Sequence, residues 1–169
     1  TTTPIALTIT ADDQSKTYGD ANPSLSVVYT GLVENDKSSP SSEISGLSVS
    51  APTGASADYG AHVITVSGAT ATYGNYNITQ NNGTLTVNQR PITLTATNQT
   101  KTYGDVDSLG TTSFSLTSGT YAPSEEATDV VLTTGASAYE STATANAGTY
   151  SAAIDISGAT GSGGFLESN

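Results

Sequence analysis

The sequence contains no cysteine, methionine or tryptophan, and only four of its 169 residues are lysine or arginine. Without cysteine the chain has no disulfide, no thiol nucleophile and no thiolate ligand for zinc. Four cations cannot form the basic groove that a phosphate backbone requires, so we predict no binding to nucleic acid. No apolar run approaches the roughly 18 residues of a membrane-spanning helix, so we predict no insertion into a membrane.

The chain is acidic and has little apolar material. Its formal net charge is −11, from 15 acidic residues that are spread evenly along the sequence. Such a surface keeps a protein soluble and monomeric. Only 35% of the residues are hydrophobic, so each folded unit should have a thin core of Ile, Val, Leu and some of the nine tyrosines.

One segment of the sequence is present twice. Residues 16–20 read Lys-Thr-Tyr-Gly-Asp and recur 85 positions later at residues 101–105, and Ser-Gly-Ala-Thr at residues 67–70 recurs at residues 157–160. Matched segments in the same order indicate a small structural unit that is duplicated. We therefore predict two modules, residues 1–88 and 89–169, whose short joint holds them in an elongated arrangement.

The periodicity of the sequence predicts an all-β fold. Ile5–Ala11 alternates apolar residues with threonine, which is typical of a strand with one buried face. Nowhere is helical spacing sustained, and helix is expected only as single turns near Asp36 and at residues 125–127. Both a sandwich-like module and a β-grasp-like sheet with one helical turn fit this pattern.

A hairpin is predicted to close the first module. Residues 76–79 and 84–87 alternate in polarity around Asn82 and Gly83, and Asn-Gly is the strongest short hairpin signal because both turn residues tolerate positive φ. The second module has no counterpart of this hairpin, so we expect the chain to be a fragment that is incomplete at its C-terminus, with an open sheet edge that pairs with another chain.

The duplicated segment suggests a structural rather than a functional motif. Tyrosine can bury its ring, glycine allows a positive-φ corner, and aspartate accepts hydrogen bonds from turn amides. A folding device is needed in every copy of a repeat. The residues to which this interpretation applies are Tyr18, Gly19, Asp20, Tyr103, Gly104 and Asp105.

The acidic residues near the two corners are the candidates for a metal site. Calcium binds six to eight oxygens, often from carboxylates on loops. No calcium-loop motif occurs, so solvated turns are favoured, no cofactor is expected, and calcium binding is the alternative. The candidate ligands are Asp12, Asp13, Asp20, Asp105 and Asp107.

Exposed tyrosines are the candidates for glycan binding. Tyr73 and Tyr76 are close in sequence, and Tyr121 and Tyr139 are predicted in loops. Burial is favoured for most of them, since the chain has few other large side chains. No enzyme is predicted, because the only histidine, His62, has no nucleophile motif around it.

The same residues resemble a known family, the MBG domain (mostly beta, glycine-rich; YGX type) and the related YDG-type repeats of large bacterial surface proteins. The resemblance covers essentially the whole chain, more loosely in its second half, which has Val106-Asp107 where the first has Ala21-Asn22-Pro23. The matching residues are 16–20, 22–23, 29–32, 60, 75–78 and 83–87 in the first module and 101–105, 148–150 and 157–159 in the second.

The resemblance implies a structural role. Modules of this family form tandem arrays in long exported adhesins, where they carry a distal binding region, and the family pattern contains no catalytic residues. We therefore expect a stalk or spacer repeat at the bacterial cell surface or in a biofilm. Its partners are expected to be neighbouring repeats, with host or biofilm glycan or protein bound through other regions. The alternative is a module that itself binds glycan or a matrix protein.

Overall fold

A computed structural model of the chain describes residues 3–52, 58–105, 108–134, 148–149, 154–163 and 165. The chain divides into two compact units, Thr1–Gln89 and Arg90–Asn169, called unit 1 and unit 2 below. The described residues form many β-strands and one helix of four residues. The predicted all-β class is therefore confirmed.

Unit 1 contains nine short strands and the helix in the part of the chain that the structure describes. In chain order they are β1 (Ile5–Ala11), β2 (Gln14–Thr17), β3 (Val27–Thr30), α1 (Pro40–Glu43), β4 (Ile44–Ser45), β5 (Ser48–Ser50), β6 (Gly60–Ser67), β7 (Thr70–Ala71), β8 (Tyr76–Asn81) and β9 (Gly83–Asn88).

These strands form two main sheets. One has the order β3-β1-β8, the other has the order β2-β9-β6-β5, and β4 pairs with β7 in a small separate ribbon. Most neighbours are antiparallel, but β1 runs parallel to β8 and β2 runs parallel to β9. The first and last segments of unit 1 therefore lie side by side in both sheets.

The core of unit 1 lies where β1 and β8 approach β6 and β9. Alternate residues of these strands face inward and form a thin core, as the alternation with threonine predicts. The threonines lie on the outer faces of the sheets. The largest fully buried side chains among the described residues are those of Leu7, Ile9, Ile64, Leu85 and Val87. Unit 1 is thus sandwich-like, and its helix is too short to cover a sheet as a β-grasp helix does.

The predicted closing hairpin is wrong. β8 and β9 do not pair with each other: β8 lies beside β1, and β9 lies between β2 and β6. Asn82 is the residue at which the chain passes from one sheet to the other. The Asn-Gly dipeptide was a misleading signal, because glycine is needed at position 83 for its small size and not for a positive φ. A Cβ at Gly83 would stand 2.7 Å from the Ala11 carbonyl oxygen, so the residue must be small.

Unit 2 contains four strands in its described residues. β10 (Thr93–Ala96) pairs with β11 (Phe114–Ser118), and β12 (Glu126–Thr134) pairs with β13 (Ile154–Ser162), in both cases antiparallel. The helical turn predicted at residues 125–127 is wrong, because Glu126 begins β12 and pairs with Ser162. Val130 and Ala122 are the buried apolar residues among those that the structure describes in this unit.

Candidate functional site

The Lys-Thr-Tyr-Gly-Asp segment of unit 1 forms a tight corner after β2. The Asp20 amide donates to the Thr17 carbonyl oxygen at 3.1 Å, and Gly19 has a φ of 83°, which a residue with a Cβ rarely adopts. The ring of Tyr18 is 5% exposed, and its amide donates to the Asn88 carbonyl oxygen at 2.8 Å. The corner therefore fixes β2 against the end of β9.

Lys16 lies inside this corner rather than in solvent. Its side chain is 7% exposed, and its Nζ donates to the Asp20 carbonyl oxygen at 3.1 Å. Burial lowers the pKa of the Lys16 ammonium group, while the nearby charge of Asp20 acts in the opposite direction. Lysine is rarely so buried unless its donors are satisfied, which gives this residue a structural role in closing the turn.

The second copy of the segment repeats the turn but not the burial. In unit 2 the Asp105 amide donates to the Thr102 carbonyl oxygen at 3.1 Å, and Gly104 has a φ of 95°. Tyr103, however, is 69% exposed. Tyr18 is covered where β2 lies beside β9, and no described strand of unit 2 pairs beside Tyr103. The glycine and aspartate therefore act alike in both copies, and the tyrosine does not.

Two of the acidic candidates for calcium binding have separate hydrogen-bond partners. Asp12 accepts a hydrogen bond from the Ser26 hydroxyl at 2.6 Å, and Asp13 accepts one from the Thr84 amide at 2.7 Å. Within the described residues no three acidic or histidine side chains come together as a metal site would require. Asp107 lies outside the described residues, as do Tyr139 and Tyr150. Calcium binding at these acids stays the untested alternative to the solvated turns that the sequence favours.

The two tyrosines considered for glycan binding lie in opposite environments. Tyr73 stands on a turn and is 71% exposed, whereas Tyr76 is buried at the start of β8. The Tyr76 hydroxyl donates to the Asp36 carboxylate and accepts from the Val33 amide, so it fastens the loop after β3. Tyr76 is therefore buried, as the sequence favours for most tyrosines, and its ring is part of the packing of unit 1 rather than a stacking surface.

Two amide side chains near the end of β6 also have structural partners. Asn82 Oδ1 accepts from the Val66 amide at 3.0 Å, and Gln80 Oε1 accepts from the Ala69 amide at 3.1 Å. They satisfy backbone donors where the ladder between β6 and β9 ends at Ile64. Sequence reasoning missed Gln80 and Asp36 because their partners are 11 and 40 residues away, and no local pattern marks such contacts.

A comparison with protein families gives a match for most of unit 1. Residues 7–86 match the family model described as MBG domain (YGX type). The match begins in β1 and ends in β9, so it contains both main sheets of unit 1, the Tyr18 corner and the Tyr76 contact. Residues 7–86 are an MBG domain. This finding confirms the resemblance read from the sequence over residues 7–86. No match was found among curated proteins or among solved structures.

Two general properties of the MBG family concern activity and location. MBG domains form a family of β-rich repeat domains and not an enzyme family, and they occur in surface proteins. The described residues include no helix with the length and apolar character needed to cross a bilayer. The hydrogen bonds described above for Lys16, Asp13 and Tyr76 connect parts of the MBG domain to one another, and that of the Tyr18 amide reaches Asn88, two residues beyond the matched range.

The Tyr76 contact should make the MBG domain sensitive to alkaline pH. The hydrogen bond to Asp36 is the main cause that raises the pKa of the Tyr76 hydroxyl. The unfolded chain therefore releases this proton first, and stability should fall as pH rises through the ordinary tyrosine value of about 10. In Tyr76→Phe this part of the pH dependence should be absent. Urea midpoints of unit 1 between pH 8 and pH 11, followed by NMR methyl signals of buried side chains such as Leu7 and Leu85, measure it.

The matched control is Tyr73→Phe, which removes an exposed hydroxyl and should leave the alkaline loss as in the unmodified chain. Lys16, whose lowered pKa makes stability rise with pH in the same range, is present in all three proteins and so cancels in the comparison. An equal alkaline loss in Tyr76→Phe and the unmodified chain would contradict the prediction.

Proposed function

We propose that the MBG domain is a structural spacer of an extracellular bacterial adhesin and presents a binding region located elsewhere in that protein. The observation that carries this proposal is the pairing of the terminal segments. The chain enters unit 1 at Ile5, opposite Tyr76, and leaves it at Asn88, opposite Thr17. These points are separated by the length of the paired segment, about 40 Å if it is extended. Each domain in a series would thus add length.

The outer faces of both sheets suit a spacer. Side chains that point outward from β1, β6 and β9 are mostly threonine, serine or other small residues, among them Thr8, Thr65, Thr84 and Thr86. Threonine favours strands, and its hydroxyl keeps the face wetted. The net charge of −11 adds repulsion between neighbouring copies of the chain. Such surfaces support a role without catalysis, nucleic acid or membrane insertion, with neighbouring repeats as partners.

Small-angle scattering of the 169-residue chain tests the spacer proposal. A compact protein of this length has a radius of gyration of about 15 Å. Two units in series, with centres about 40 Å apart, should give a value above about 20 Å. A value near that of the compact protein would overturn the proposal. The scattering curve at several protein concentrations supplies the control, since association would raise the value with concentration.

A second candidate function rests on Tyr73 alone. This ring is the most exposed large apolar side chain among the described residues, and it stands next to Gly74 on a turn where a flat ligand could reach it. Host or biofilm glycan would be the ligand. Saturable binding on a glycan array that Tyr73→Ala removes and Tyr59→Ala retains would favour a binding module over a spacer.

A further inference from the structure

The first and last segments of unit 1 form one continuous parallel pair. Residues 5–10 pair with residues 76–81 in one sheet, and residues 14–17 pair with residues 85–88 in the other. In both sheets each residue lies opposite the one 71 positions later. The register is thus unchanged where the two segments pass together from sheet to sheet. The two segments behave as one ladder that is ten pairs long.

This arrangement determines how unit 1 would meet a pulling force. A pull on the chain before Ile5 and a pull on the chain after Asn88 act in opposite directions along parallel strands, so they slide one strand past the other. Parallel hydrogen bonds are evenly spaced, and under sliding they are all loaded together. If the force instead acted at one end of the pair, the bonds would break one after another.

Both ends of the ladder are closed by further backbone hydrogen bonds. At the end where the chain enters, the Ile5 amide donates to the Asn75 carbonyl oxygen at 2.9 Å. At the end where it leaves, the Tyr18 amide donates to the Asn88 carbonyl oxygen at 2.8 Å. Lys16 and Tyr18 are buried beside this second contact. The loaded residues therefore have backbone partners at the points where tension would be applied.

The gap between the two parts of the ladder is bridged by a side chain. Where the segments change sheets, Asp13 Oδ1 accepts a hydrogen bond from the Thr84 amide at 2.7 Å. Gly83 passes so close to Ala11 that a Cβ would stand 2.7 Å from its carbonyl oxygen. A carboxylate that accepts from a backbone amide makes a stronger bond than a neutral pair does. Asp13 thus connects the two segments at their otherwise unpaired point.

Core packing opposes sliding as well. Leu7 and Ile9 lie on one segment, Leu85 and Val87 lie on the other, and all four are fully buried. A slip of one residue would turn these side chains to the outer face of their sheets. The hydrogen bonds and the buried side chains would therefore have to yield in the same step.

We infer that unit 1 is a tension-bearing element in which residues 5–17 and 76–88 form a shear clamp, bridged by Asp13. The inference rests on the proposed spacer function, because a domain is pulled at its two ends only when it stands in series between an anchor and a bound target. It adds to that function a resistance to force that depends on the direction of pulling. Resistance of this kind is a property of the unfolding rate and not of equilibrium stability.

Single-molecule force spectroscopy on the whole chain tests this inference. The sequence has no cysteine, so two introduced thiols define where the handles attach. In the variant with Thr3→Cys and Gln89→Cys, force applied through the two handles pulls the clamp in shear. In the variant with Thr3→Cys and Tyr73→Cys, the force acts on both segments at the same end, so the hydrogen bonds of the ladder open one after another. The expected rupture force is several-fold higher for the first variant at the same loading rate. Its extension on rupture should be about 250 Å.

Asp13 provides the residue-level test. Asp13→Ala should lower the rupture force in shear and leave the force from the same-end variant unchanged, because the ladder there begins to open at Ile5. Asp13→Asn keeps an acceptor oxygen and should restore most of the force. Asp12→Ala is the matched control, since the Asp12 carboxylate binds Ser26, which lies outside the clamp. Urea unfolding of each variant separates a loss of force from a loss of stability.

Equal rupture forces in the two pulling directions would overturn the clamp, and so would an Asp13→Ala effect of the same size in both. These outcomes differ from failure of the spacer proposal. A radius of gyration near 15 Å would contradict the spacer proposal even if the rupture force depended on the direction of pulling. A large radius of gyration together with equal rupture forces in the two directions would support the spacer proposal and contradict the clamp.

Discussion

Gly31→Ala is expected to destabilise unit 1 by about 3 kcal/mol, which is a large part of the stability of a domain of this size. Gly31 follows β3 and has a φ of 106°, a conformation that residues with a Cβ avoid. In addition, a Cβ at this position would overlap the Ala6 carbonyl oxygen of β1. Ala6 belongs to the central strand of its sheet, so the backbone cannot move away without disturbing the pairing with β8.

Gly74→Ala is the matched control for this substitution. Gly74 also has a positive φ, of 70°, but a Cβ there would meet no atom within 4 Å. Its cost should be about 1 kcal/mol, from the backbone conformation alone. Urea unfolding of the whole chain, followed by NMR amide signals of unit 1, measures both. If the two alanine variants lost the same stability, the close approach between Gly31 and Ala6 would not be the cause.

The strands of unit 1 could largely be predicted because they depend on local patterns. The alternation of Ile5–Ala11 predicted both a strand and its buried face, and Leu7, Ile9 and Ala11 do face the core. Residues 84–87 were likewise predicted to alternate, and in β9 Leu85 and Val87 face the core. Period-2 alternation is a property of a few neighbouring residues, so one sequence suffices to show it.

Strand partners could not be predicted in the same way. The order and direction of strands depend on contacts between distant segments, and β1 and β8 are 71 residues apart. Asn82 and Gly83 predicted a hairpin because two-residue turns favour that dipeptide. In the structure the same residues serve the passage between sheets, where Asn82 accepts from Val66 and Gly83 gives room to Ala11. A dipeptide of this kind indicates special backbone geometry without showing which geometry it serves.

The environments of the tyrosines show a further limit of sequence reasoning. Tyr18 and Tyr103 occur in identical five-residue segments, yet one is buried and the other is exposed. Tyr73 and Tyr76 are three positions apart and differ in the same way. Burial of a tyrosine depends on contacts with distant parts of the chain: the Tyr18 backbone bonds to Asn88 at the end of β9, and the Tyr76 hydroxyl bonds to Asp36. That information is not contained in the neighbouring residues.

Leu85→Ala is expected to have an effect as large as that of Gly31→Ala, by a different mechanism. Leu85 is fully buried on β9, where it lies opposite Gln14 of β2 on one side and His62 of β6 on the other. Removal of three carbon atoms from such a position costs about 2–5 kcal/mol, from the lost transfer energy and the cavity that remains. The thin core of unit 1, with few large side chains, has little material that could close the cavity.

Thr86→Ala is the matched control for Leu85→Ala, because Thr86 is the next residue of the same strand and points outward. It should change stability by no more than about 0.5 kcal/mol, as expected for a surface position. Urea unfolding followed by unit 1 amide signals separates the two variants, and amides of β12 and β13 report on unit 2, which should keep its own midpoint. A loss below about 1 kcal/mol in Leu85→Ala would contradict the assignment of β9 to the centre of the core. Since Leu85 also lies on the proposed clamp, its alanine variant should rupture at lower force in shear than Thr86→Ala does.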